Sequence, residues 1–319
     1  MGRSVYTVLG DSILRAGEMA ARQLYWRTPA LRKFRKRIRP ALRPKWTVSA
    51  RELSGAIEQV VAGNNLVMCH VASAGIHFAD TGPLSDPPIA SRPFDTASRL
   101  LDILLQAVNA TSTLVLPSYS VFQSRLTCDG QDPLYDPKRT PCWTGLVCEL
   151  FWRRPDVRRS EFPIDSLSAC GPLAECLFES ELSGCRPAPH GENSAFARIC
   201  NMNGIVMSIG VPLIEVCSIV HVAEDIHPSW PIKDFYRDRT FRVRTGRGEL
   251  AVTVRERRPT FRRNYCEGQI HRDLLRAGVL RESAVNGVRV DSLRAGECLD
   301  LMAYKNRLTP YPYYWTALG

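Results

Sequence analysis

Apolar residues follow two patterns along the chain, and their alternation sets the expected architecture. Short unbroken runs occur at Leu66-Val-Met-Cys-His70, Thr113-Leu-Val-Leu-Pro117 and Ile205-Val-Met-Ser-Ile-Gly-Val211. Runs of that length between turn residues predict strands covered on both faces. Between them the spacing becomes helical. Leu53, Ile57, Val60 and Val61 form one stripe, which predicts a helix over residues 49–63 with Ser49 as its N-cap. Residues 96–108 and 270–278 predict two more helices. Residues 240–257 alternate about Gly246-Arg-Gly248, the pattern of a β-hairpin. Residues 123–144 have turn composition and predict a long loop over a site. Strands interleaved with helices imply an α/β fold, a mixed sheet flanked by helices.

The first residues behave differently. Val8, Ile13, Met19, Ala20 and Leu24 have roughly helical spacing, and Leu31, Phe34 and Ile38 predict a short amphipathic helix between Pro29 and Pro40. Charge separates this stretch from the rest. Residues 1–45 hold twelve Lys or Arg against Asp11 and Glu18, an excess equal to the whole net charge of +10. The remaining residues are balanced. The expected division is a basic helical extension over 1–47 and a folded domain over 48–319. Residues 27–45 suit an anionic membrane surface or an acidic carrier protein, and residues 5–26 suit packing on the domain or on a second subunit of a homo-oligomer. A nucleic-acid partner is not expected, because the basic residues are not spread along the domain with interleaved aromatics. No apolar run reaches the roughly 20 residues of a membrane-spanning helix, and no secretory signal is evident. Eleven cysteines without a C-x-x-C pair read as reduced thiols of a cytoplasmic protein with no metal.

One apparent motif is set aside. Leu9-Gly-Asp-Ser12 looks like the nucleophile turn of Gly-Asp-Ser hydrolases, but that chemistry needs a late Asp-x-x-His pair, and Asp225 and His227 are only two apart. A stronger candidate is His221 with Glu224, spaced to share one helix face. An imidazole titrates near neutrality, and a carboxylate that fixes its tautomer makes it a better base.

Four segments in order resemble the antibiotic N-acetyltransferase family, whose named members are the aminoglycoside 3-N-acetyltransferases. They are Leu66 to Gly75, Thr113 to Ser120, Gly145 to Gly171, and Gly204 to Val211 followed by Ser218-Ile-Val-His221-Val-Ala-Glu224. The resemblance covers residues 48–303 and leaves out the Pro/Tyr-rich end 308–316. It implies acyl transfer from acetyl-CoA or another acyl-CoA to a small-molecule amine within a ternary complex, with His221 as general base oriented by Glu224. The amine would belong to an amino sugar, an antibiotic or a biosynthetic intermediate. The polyanionic donor implies contacts from His70, Ser73, Gly75, Ser118, Arg159 and Ser160. Tyr135-Asp136 resembles the acceptor-side pair. A departure occurs at Arg159-Ser160-Glu161-Phe162-Pro163, where the family usually reads Arg-Ser-x-His-Pro. It places Phe162 on the acceptor wall and predicts a less cationic amine than an aminoglycoside. Three rival readings remain at this point: an acyl-carrier-protein donor, thioester hydrolysis, and a catalytically lapsed homologue that serves as a docking module.

Overall fold

The computed structural model describes residues 13–31 (except 15, 19, 22, 23 and 26), 45–79, 93–108, 111–120, 132–308 and 311–314, without the side chains of 262 and 263. Most of the predicted 29–40 helix, residue 8 and residues 123–131 of the predicted loop lie outside these.

Three unbroken apolar runs become the middle of one sheet. They are β2 (Leu66–Val71), β4 (Thr113–Pro117) and β8 (Ile205–Ile209), and β2 pairs in parallel with both of the others. The pleat sends alternate residues to opposite faces. Val67, Cys69 and Val71 of β2, with Leu114, Leu116, Ile205, Met207 and Ile209, pack under helices Ala50–Val61, Pro93–Ala107 and Leu146–Trp152. Met68, Val115 and Val206 pack on the other face, under helices Ala195–Asn201, Glu267–Arg276 and Ala295–Asn306. Two covered faces are why these strands read as continuous apolar runs. Around them, β6 (Arg158–Arg159), β7 (Leu167–Cys170), β11 (Ala284–Val285) and β12 (Val288–Arg294) complete seven strands in the order β11-β12-β8-β2-β4-β7-β6. The outer pairings β12–β8, β4–β7, β6–β7 and β11–β12 are antiparallel, so the sheet is mixed.

The first helix starts as its sequence dictates. Ser49 Oγ accepts from the Glu52 N–H at 3.1 Å, and the Glu52 carboxylate accepts from the Ser49 N–H at 3.2 Å, a reciprocal capping box. Leu53, Ile57 and Val61 are buried, while Val60 is only partly covered. Ahead of it β1 (Trp46–Val48) pairs with β3 (Ile76–Phe78), so regular structure of the domain begins at Trp46.

The hairpin is longer than its alternation suggested. Strands β9 (Tyr236–Thr245) and β10 (Gly248–Arg257) pair antiparallel over their whole length. The short β5 (Leu134–Tyr135) joins β9 within the stretch expected to be loop. Beneath this second sheet Tyr135, Phe162, Ile164, Phe241, Val243, Val252 and Val254 form a separate small core.

The extension touches the domain where Glu18 accepts a hydrogen bond from the Gly268 N–H at 3.0 Å, at the start of helix Glu267–Arg276. Ile13, Leu14 and Leu24 are more than half exposed, so these apolar positions do not pack on the domain of their own chain. Among the described residues no helix is long and apolar enough to cross a membrane.

Candidate active site

The chain leaves β2 toward β4 on one side and has β8 on the other, so a crevice opens where the direction of winding changes. A cavity of about 380 Å³ occupies it. His70, Val71 and Ala72 line it from the end of β2, Pro117 and Tyr119 from the end of β4, and Val211 from beyond β8. Gly210 makes the close approach there. It has φ +72°, and a Cβ would collide with the Ala72 carbonyl.

Opposite these strand ends, a 3-10 turn, Ser218–His221, runs directly into a single helical turn, Val222–Asp225. The i, i+3 spacing brings His221 Nδ1 to 3.1 Å from Glu224 Oε2. Ile219, Val220 and Val222 anchor the turn in the core on the same sheet face as Met68. Alternation along β2 puts His70 on that face too. The Ser218 hydroxyl shares a 2.7 Å hydrogen bond with the Tyr119 hydroxyl, tying the turn to the end of β4.

The electrostatics favour a neutral imidazole. Burial, then the nearby Arg257 guanidinium, push His221 well below its ordinary range. Burial raises the Glu224 carboxyl to about 8, against the attraction of Arg257 and the hydrogen bond from Tyr314. Burial alone lowers His70 to about 4. Its Nε2 is buried with no hydrogen-bond partner among the described residues. Three acidic side chains, Asp165, Glu215 and Glu267, share the cavity wall with Arg257.

A second histidine lies behind the first. The His190 ring meets His221 edge-on with centroids 5.6 Å apart. Asp225 Oδ2 accepts from the His190 backbone N–H at 3.1 Å and lies 3.4 Å from its Nδ1. Burial opposes ionisation of Asp225, but these contacts and the Tyr236 hydroxyl hold its carboxyl below the usual range.

The structure brings together only some of the residues singled out from sequence. His221 is hydrogen-bonded to Glu224, and His70 and His221 line the same cavity. Ser73 and Gly75 form a turn beside the cavity wall that leads into β3 rather than into a helix, and the Gly75 carbonyl accepts from the Trp46 N–H. Ser118 and Arg159 are engaged with the protein itself. Arg159 donates to the Ser118 carbonyl at 2.7 Å, the Thr140 carbonyl at 2.5 Å and the Ser118 hydroxyl at 3.2 Å, with its guanidinium against Trp152. The Ser160 hydroxyl donates to Glu181 at 2.6 Å, and the Tyr135 hydroxyl donates to the Ser160 carbonyl. Asp136 accepts from Arg244 at 3.2 Å and lines a separate cavity with Arg159. Phe162 is 3% exposed and belongs to the core beneath the hairpin, not to the wall of the His221 cavity. The expected apolar acceptor wall therefore has no counterpart at that residue.

Several site residues carry no signal in the sequence pattern. Arg257 ends a hairpin strand whose alternation signals only pairing. Tyr314 lies in the Pro/Tyr-rich end outside the resemblance. His190 follows Pro189 in a stretch without regular pattern.

A family model described as aminoglycoside 3-N-acetyltransferase matches residues 93–305, about two thirds of the chain. Aminoglycoside N(3)-acetyltransferase IV of Salmonella sp is 31% identical over 149 residues, 46% of this chain and 49% of that protein. The chain thus spans about half the length of the curated relatives it matches. Two solved structures share the fold. A mutant of aminoglycoside acetyltransferase AAC(3)-IVa in complex with a gentamicin superposes with a TM-score of 0.60 at 22% identity, over 82% of this chain and 88% of that one. AAC-IIIb in binary complex with CoASH gives 0.62 at 17% identity, over 81% and 96%.

Proposed function

The chain belongs to the family of aminoglycoside 3-N-acetyltransferases, and on that premise we propose that it transfers an acetyl group from coenzyme A to an amine of a cationic amino sugar, with His221 as general base. The observation that carries this reading is the hydrogen bond between a neutral His221 imidazole and Glu224 beside a cavity built on the carboxyl ends of β2 and β4. Glu224 accepts the Nδ1 proton and leaves Nε2 as the basic nitrogen. His221 takes the proton of the amine as its nitrogen attacks the thioester carbonyl. The new C–N bond forms, the C–S bond breaks, and the proton held by His221 passes to the departing sulfur, so that coenzyme A leaves as a thiol and the base is regenerated. Acetyl-CoA supplies the activated acyl group. His70 Nε2 lines the same cavity without a partner among the described residues, which suits a hydrogen bond to the thioester donor. Ser73 and Gly75, in the turn beyond β2, are the other donor contacts this reading retains.

Asp165, Glu215 and Glu267 support a polycationic acceptor, since each offers a charge-assisted hydrogen bond to an ammonium. With Phe162 in the core, nothing on this wall favours an apolar amine. The relative AAC(3)-IVa is known in complex with a gentamicin, and AAC-IIIb with CoASH, in agreement with this choice of substrates.

The test is thiol release by the purified protein from acetyl-CoA, with gentamicin, with no acceptor, and with an acetylated acidic carrier protein as donor. Release that requires both acetyl-CoA and the aminoglycoside supports the proposal. Release without acceptor means hydrolysis, release only from the carrier means a carrier-dependent transferase, and no release with any pair means a lapsed site. Any of these last three overturns it.

A further inference from the structure

Two residues that the reaction scheme does not use converge on the His221–Glu224 pair. The Arg257 guanidinium, from the end of β10, lies 2.9 Å from His221 Nδ1 and 3.0 Å from Nε2. The in-plane directions of those nitrogens diverge, so one planar guanidinium close to both lies against the ring and leaves the Nε2 edge free. The same Nη1 is 3.5 Å from Glu224 Oε2 and donates to the Tyr314 hydroxyl at 2.6 Å. Tyr314 in turn donates to the Glu224 carboxylate, 3.0 and 3.1 Å from its two oxygens. Four side chains from three separate parts of the chain thus close one network.

The C-terminal segment is held in place for this contact. The Cys266 N–H donates to the Tyr313 carbonyl at 2.8 Å, and Tyr265 bridges Tyr314. The Tyr313 hydroxyl donates to Asp273 at 2.9 Å, where buried Lys305 also pairs at 2.7 Å. Tyr311 stacks on Tyr314 with centroids 5.9 Å apart. This segment lies beyond residue 305, where the family match ends.

We infer that Arg257 and Tyr314 are positioning residues that hold His221 as a neutral base and Glu224 as the carboxylate that orients it. The inference rests on the proposed function for its catalytic consequence, but not for its geometry. Other charged groups also face the pair. Asp225 shares its turn, His190 and Asp165 approach from the neighbouring loops, and Glu256 comes from β10 beside Arg257. Tyr265 contributes a ring 5.1 Å from the imidazole, and Glu267 lies across the cavity. Arg257 is the cation among them that contacts both His221 and Glu224. Protonating either group places a new proton against a permanent positive charge or discharges its partner. Removing Arg257 therefore moves both protonations to higher pH.

The experiment compares wild type with Arg257→Met, Arg257→Lys and Tyr314→Phe. The His221 titration is followed by NMR in protein labelled with 15N-histidine and assigned with His221→Gln, and kcat/KM for acetyl transfer is followed from pH 5 to 9. A unit charge at this distance shifts a titration by about one to three pH units at the effective dielectric of protein sites. The His221 midpoint and the acid limb should rise by that amount in Arg257→Met. They should rise less in Tyr314→Phe and stay near wild type in Arg257→Lys, which keeps the charge but loses the planar contact. A His221 midpoint unchanged in folded Arg257→Met overturns the inference, whether or not any amine is acetylated. An inactive wild type with a shifted midpoint overturns the proposed function and leaves this inference standing.

Discussion

Replacing Phe162 by Ala separates a core residue from a pocket residue. The ring is 3% exposed and packs against Tyr135, Ile164, Phe241, Val243, Val252 and Val254. Truncating a buried Phe to Ala costs about 3–5 kcal/mol, through lost transfer free energy and the cavity left behind. A chain of 319 residues unfolds with an entropy of roughly 0.67 kcal/mol/K, at about 2.1 cal/mol/K per residue. The loss should lower the melting temperature by about 4–8 °C. Phe162→Leu, which keeps most of the apolar volume, should lose less. Because Phe162 does not line the His221 cavity, KM for the amine should stay within about twofold at a temperature where the variant remains folded. The assay is a calorimetric melt paired with acceptor KM at 20 °C. An unchanged melting temperature with an altered acceptor preference would refute the placement and restore the ring to the acceptor wall.

Further outcomes follow from the same geometry. His221→Ala should keep the fold and slow turnover on the order of a hundredfold or more, the scale for losing a general base; Glu224→Gln should cost less, because it keeps the hydrogen-bond geometry. Near-normal rates in His221→Ala with an amine protonated at the assay pH would remove it from that role. In wild type, kcat/KM should fall as pH drops through about 8, where the raised Glu224 carboxyl takes up a proton and stops orienting the base, with no separate limb near the ordinary imidazole range, since burial and Arg257 depress His221. Glu215→Gln should raise KM for a polycationic acceptor several-fold with little change in kcat; an equal loss with a monoamine would deny it a part in recognition. Deleting residues 1–45 should leave turnover with acetyl-CoA within about twofold. Binding of anionic vesicles or an acidic carrier protein should weaken and lose its salt dependence, because exposed charges are screened beyond about 8 Å at physiological ionic strength. A truncation that binds as the full chain does would dismiss the arm as a docking element.

Elements whose information is local are legible in the residues alone. The doubly covered strands announce themselves as apolar runs because helices exclude water from both faces, as at Val67 and Met68. Ser49 and Glu52 specify a helix start within four residues. The i, i+3 spacing brings His221 to Glu224 whether the turn is 3-10 or α-helical. The residues that decide how this base behaves have no such signal. Arg257 is 36 residues from His221 and Tyr314 is 90 from Glu224, so their contacts exist only once the hairpin and the last segment have docked. The same docking gives Phe162, Ser118 and Arg159 internal partners, although the motif that carries them suggests a ligand. A motif fixes residue types at a spacing, but which way a side chain faces is decided by what packs over it. The β2–β4–β8 crevice is likewise a product of strand order, and no run of residues records which strand will lie between the other two.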